Sequence, residues 1–296
     1  MIDALREVYP WKSHFTEVPE ISPRAQHYID EGEGEPIVML HGNPTWSFYY
    51  RDLIRHFSKN YRVIAPDHIG SGLSEKPEDW SYRLEDHIQN IIRLVDRLSL
   101  KNITLVVHDW GGAIGLGFAT RRPELVRRLV ILNTGAFYLP DIPKRIKFCR
   151  LPIVGKWFVR QLNGFAWPAT WMATAKGLPP LVKQGYLLPY NNYANRVGVS
   201  AFVRDIPLEP HHPTLNTILK IEKDLAKLKI PTLILWGAKD FCFHKAFFDR
   251  WIEIYPEAKT VWIEDAGHYI LEDARDQVIQ EISQFLDHHP LASQVH

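Results

Sequence analysis

Short apolar runs alternate along the chain with longer stretches whose apolar positions recur at helical spacing. Residues 25–29, 37–40, 62–65, 103–107, 126–132, 232–236 and 260–263 read as buried strands, bounded by turn-forming stretches such as Glu31-Gly32-Glu33-Gly34. Between them, residues 46–57, 84–98, 110–120, 246–255 and 276–285 carry the three-and-four spacing of helices with one face on a sheet. Alternating strands and helices of this kind predict an α/β fold with a mostly parallel, doubly wound sheet. The alternation stops after Asn133, where aromatic- and proline-rich helical segments replace it. We therefore expect residues 1–136 and 214–296 to form one α/β core, with residues 137–213 inserted as a helical cap.

Composition narrows the picture modestly. Of 296 residues, 46% are hydrophobic and 23% charged, as in a globular protein with a large core. The net charge of +1 gives no reason to expect a nucleic-acid partner. Residues 1–10 hold Asp3, Arg6 and Glu7 rather than an apolar leader, and no apolar run nears the ~20 residues of a membrane span, so a cytoplasmic location is expected. Two separated cysteines, Cys149 and Cys242, exclude a disulfide framework, and Cys242 is expected to act as a small hydrophobe. Within the cap, 144–160 mixes Lys144, Arg145, Lys147, Lys156 and other bases with apolar residues. Solvated outer charges are the expectation there; a membrane surface or a partner helix is the competing one.

The chemistry gathers at strand ends. The run of 103–107 turns at Asp109 into a helix opened by Gly111 and Gly112, the layout of a nucleophile elbow with a carboxylate at the corner. Asp240 and His268 follow at the ends of two later strands, giving the chain order nucleophile, acid, histidine. Asp109 would attack carbon to form an ester, His268 would activate the water that hydrolyses it, and Asp240 would orient His268. The side-chain N–H groups of Asn43 and Trp110 would cradle the leaving group, and the backbone N–H groups of the same residues would hold the ester carbonyl oxygen. Phe137, Phe165, Trp167 and Phe202 are expected to line the pocket. No cofactor or metal is expected: Gly70-Ser71-Gly72 lacks the third glycine of a dinucleotide loop, and His211-His212 and His288-His289 lack further ligands.

His41-Gly42-Asn43-Pro44-Thr45-Trp46-Ser47, Asp67 to Ser74 and His108-Asp109-Trp110-Gly111-Gly112 resemble the haloalkane dehalogenase family of the α/β-hydrolase fold. The likeness implies that Asn43 and Trp110 hold a halide. Asn133 and Thr134 stand where some members keep the triad acid, which moves the acid to Asp240. Asn133 to Phe137, Asp205 to Leu208, Asp240 to Phe243 and Gly267 to Asp273 resemble a branch that also contains β-lactone decarboxylases of long-chain olefin biosynthesis. The expected substrate is thus small and apolar, a haloalkane first and a cis-3-alkyl-4-alkyloxetan-2-one as the alternative, opened by the same triad. An epoxide hydrolase would use cap tyrosines such as Tyr138, Tyr186, Tyr190 or Tyr193 but gives Asn43 no purpose. A non-catalytic binding module is disfavoured because the whole triad is present.

Overall fold

The computed structural model describes residues 2–291. Each predicted strand forms, and all join one sheet made of β1 (His14–Val18), β2 (Ser22–Glu31), β3 (Pro36–Leu40), β4 (Arg62–Pro66), β5 (Ile103–Asp109), β6 (Val126–Thr134), β7 (Thr232–Gly237) and β8 (Lys259–Ile263). Their spatial order is β1-β2-β4-β3-β5-β6-β7-β8. From β4 and β3 through β8 the strands are parallel, whereas β1 and β2 pair antiparallel to their neighbours. The edge strand β1 escapes the hydrophobic pattern because only part of one face is covered. Every residue of β5 is buried, as expected of a central parallel strand covered on both faces.

One face of the sheet packs on α2 (Leu84–Arg97) and α3 (Trp110–Arg121), with Ile88, Ile91, Ile114 and Leu116 fully buried. The other face packs on α1 (Arg51–Phe57) and α12 (Arg275–His288) through residues such as Leu53 and Ile282. Burying one such aliphatic side chain stabilises the fold by about 1.5–3 kcal/mol. The predicted helix at 46–57 divides into a 3-10 turn, Ser47–Tyr50, and then α1.

The strand order reverses between β3 and β5. β3 connects to β4 on one side, while β5 leads to β6 on the other, so the loops after β3 and β5 diverge above neighbouring strand ends. This is where open α/β sheets form their ligand crevice. Between β6 and β7 lie helices and, among the described residues, no strand: α4 (Lys144–Cys149), α5 (Val154–Gln161), α6 (Ala166–Met172), α7 (Pro180–Leu187), α8 (Val197–Arg204) and α9 (Pro213–Leu225). α9 packs beside α2 and α3, against the sheet layer. The preceding helices meet the loops above the strand ends: Trp46 Nε1 donates to Gly185 O at 3.1 Å, and Tyr190 Oη donates to Thr45 O at 3.2 Å. No helix among the described residues is long and apolar enough to cross a membrane.

Candidate active site

Asp109 ends β5 with φ 51° and ψ −128°, a strained backbone at the corner between strand and helix. Only small neighbours permit that corner. A Cβ on Gly111 would strike the Leu40 carbonyl, and one on Gly42 would strike the Asp109 carboxylate itself. Thr134, at the end of β6, donates its hydroxyl to the Asp109 carbonyl oxygen and braces the turn. The backbone N–H of Asn43 donates to Asp109 Oδ1 at 2.5 Å, and the backbone N–H of Trp110 also supports the carboxylate.

β7 leads through α10 (Lys245–Ile254) to β8, and His268 follows β8 and precedes α11 (Ile270–Asp273). Its Nδ1 lies 2.8 Å from Asp240 Oδ2, and its Nε2 lies 3.6 Å from Asp109 Oδ2. Asp240 is held in turn: its Oδ1 accepts the backbone N–H groups of Cys242 (2.6 Å) and Phe243 (3.0 Å). With Nδ1–H directed at Asp240, Nε2 is the free base that faces Asp109. Burial pushes the Asp109 pKa above the usual carboxylate range, although His268 and the two backbone donors pull it back. For His268, burial favours the neutral ring, but Asp240 and Asp109 outweigh it and raise the imidazole pKa above its ordinary 6.5.

Two supporting residues are not apparent from sequence reasoning. Asn133 ends β6 at the alternative position for a triad acid, and its Nδ2 donates to Asp240 Oδ2 at 2.9 Å and to Gly237 O at 3.1 Å. Its Oδ1 accepts the Gly237 N–H at 2.8 Å, so one amide fixes both the acid and the strand end below it. His108 Nε2 donates to the His268 carbonyl oxygen at 2.9 Å. Burial keeps that ring neutral, with a pKa well below 6.5. The available signals were the asparagine standing where an acid was absent and the histidine beside the elbow.

Above the triad lies a cavity of about 570 Å³ with apolar walls. Asp109 and His268 sit at its floor, beside Asn43 and Trp110, while Arg145 is the remaining charged residue on its lining. Phe137 and Phe165 line it as expected. Phe202 does not: it is completely buried behind Trp110, with ring centroids 5.4 Å apart, and stacks on His87 at 4.5 Å. Trp167 does not either, because its side of α6 faces outward, where Lys183 lies 5.6 Å from its ring. Asn43 carries a second departure. Its Nδ2 donates to Val199 O of α8 at 3.2 Å, leaving one of its two amide hydrogens for a ligand. Cys242 is half-buried and lines the cavity, with its thiol held protonated by burial and by Asp240. His288 and His289 are exposed, as expected.

An elbow carboxylate, a histidine and a strand-end acid on this sheet define an enzyme of the α/β-hydrolase class. The chain belongs to the α/β-hydrolase fold family, whose profile matches residues 35–274. It is 45% identical to a cis-3-alkyl-4-alkyloxetan-2-one decarboxylase of Shewanella oneidensis, across all of this chain and 94% of that protein. It is 34% identical to haloalkane dehalogenase 2 of Mycobacterium tuberculosis H37Rv, across 93% and 95% of the two chains. Its structure superposes on the haloalkane dehalogenase DatA of Agrobacterium tumefaciens C58 with a TM-score of 0.83, 26% identity, and coverage of 94% and 96%. Haloalkane dehalogenases and oxetanone decarboxylases are therefore its relatives, and the chain is an enzyme of that type.

Proposed function

We propose that Asp109 opens an activated carbon–oxygen bond, and that the substrate is a cis-3,4-dialkyl β-lactone converted to a cis-alkene and carbon dioxide. The observation that carries this reading is the Asp109 carboxylate, beside His268, at the floor of an apolar cavity of about 570 Å³. The full-length 45% identity to an oxetanone decarboxylase supports the choice of substrate. In this reading residues 137–213 act as the cap that keeps water from the reacting carbon.

The steps balance without water. An Asp109 oxygen attacks ring carbon 4, the C4–O bond breaks, and the ring oxygen leaves as a carboxylate. Attack at C4 is preferred to attack at the carbonyl because it releases a carboxylate rather than an alkoxide. The remaining Asn43 amide hydrogen and the Trp110 indole N–H would receive that carboxylate. The C2–C3 bond then breaks, its electron pair forms the C3=C4 double bond, and the C4–O bond to Asp109 breaks to restore the carboxylate. Inversion at C4 followed by anti elimination keeps the cis relationship of the alkyl arms.

Haloalkane dehalogenation is the second reading, favoured by the placement of Asn43 and Trp110 on the cavity floor. It uses the same attack, with halide leaving, but then requires water activated by His268 to hydrolyse the ester. Offering the purified enzyme a cis-dialkyl β-lactone and, separately, a bromoalkane tests both. Alkene and carbon dioxide at a higher rate than bromide support the lactone reading; bromide release with no alkene overturns it.

A further inference from the structure

We infer that the outer face of the cap, formed by α4, α5 and α6, docks on an anionic lipid bilayer with the cavity mouth turned toward it. Ten large apolar side chains are exposed among the described residues, and eight of them fall between Phe148 and Trp171. Ile153 is 83% exposed and Trp157 53%, in a segment short enough to form one patch. Scattered exposed apolar groups need no explanation, but a patch of this concentration marks an interaction surface.

Three observations choose the occupant. First, Phe148 and Trp171 belong both to this exposed set and to the lining of the cavity, so the patch adjoins the cavity that leads to Asp109. A protein seated there would stopper the entrance, whereas a bilayer would feed it. Second, residues 142–204 contain ten Lys and Arg and no Asp or Glu, while the whole chain carries only +1. Arg150 and Arg160 are spent on Glu209 and Glu78, carboxylates outside that span. Lys144 and Lys147 are exposed beside the patch and complement a negative surface. Third, exposed apolar side chains beside the exposed Lys144 and Lys147 are the composition of an interfacial surface, with apolar groups entering the acyl region and cations among the headgroups. The docking face stands on these surface features; its purpose, delivering a long-chain lactone out of the membrane, rests on the reading proposed above.

The test needs no substrate. The whole protein is sedimented with vesicles of phosphatidylcholine plus phosphatidylglycerol, and with vesicles of phosphatidylcholine alone. Binding to the mixed vesicles is expected, falling with added salt and falling about tenfold or more in Lys144→Glu/Lys147→Glu and in Ile153→Glu/Trp157→Glu. Neither pair belongs to the triad or to the residues that line the cavity, so both variants keep their turnover of a short bromoalkane or lactone, which shows that they fold. The inference is overturned if the native protein binds neither vesicle, or if Ile153→Glu/Trp157→Glu binds as the native does. It is also overturned if that variant converts a native dimer to a monomer while vesicle binding stays unchanged, because the patch then joins two copies. None of these outcomes depends on whether lactone or haloalkane is turned over.

Discussion

At Asp109 and His268 the two readings of the site separate cleanly. Both need the carboxylate, so Asp109→Asn is expected to lower turnover of either substrate by roughly 10³-fold or more. Only the haloalkane reaction needs a base for water. His268→Ala should therefore release one equivalent of bromide and stop, leaving an alkyl ester on Asp109 visible in the intact mass, while alkene formation from a lactone continues. Continuous bromide release by that variant would remove His268 from ester hydrolysis. The pH profiles follow the same division. The His268 pKa is raised above 6.5, and the base must be neutral, so alcohol formation from a haloalkane should rise as pH increases through that higher value. Alkene formation needs only ionised Asp109, whose pKa is raised above 3.8 by burial, so its profile should follow that carboxyl and carry no limb from His268. Superimposable profiles for the two products would contradict this assignment of roles.

Among the elements, the elbow between β5 and α3 depends on what the neighbouring strand end leaves empty. Gly42→Ala would place a methyl group where the Asp109 carboxylate lies, so a large loss of kcat with a smaller loss of stability is expected, checked by kinetics beside denaturant unfolding. Phe202→Ala should show the opposite balance. Its buried ring supports Trp110 and His87, and its truncation is expected to cost about 3–5 kcal/mol of stability in the same unfolding measurement. The two predictions also mark what the sequence made legible. The strand-then-helix alternation, the elbow and the order of Asp109, Asp240 and His268 are local patterns that survive without coordinates. The side of a cap helix that faces the cavity is not local, because α6 and α8 are apolar on more than one side; hence Trp167 turns outward and Phe202 inward. The short edge strand β1 and the bridge from Asn133 to Asp240 were hidden for a related reason. Each depends on a partner far away in sequence, 107 positions in the second case.

Across the whole molecule, the proposed reading gives the cap the choice of substrate and the core the reaction. Cap and His268 loop are tied together: the Asp273 carboxylate accepts the backbone N–H groups of Ala175, Lys176 and Gly267, and the Tyr269 N–H donates to Ala173 O at 2.7 Å. Movement of the cap base would therefore be felt at His268. Apart from Arg145 and the residues at its floor, the cavity wall is lined mainly by apolar side chains, so binding there is governed by the number of methylenes withdrawn from water. At about 0.8 kcal/mol per buried CH₂, each methylene added to a lactone arm should raise kcat/KM roughly fourfold while the arm still lies inside the cavity. Once an arm emerges at the mouth the gain should cease. A series of cis-dialkyl β-lactones of increasing arm length, assayed for alkene, checks this directly. A rise followed by a plateau is the expected profile. A flat profile from the shortest arms onward would mean that the apolar cavity does not hold the arms during catalysis, and the lactone reading would lose its structural support.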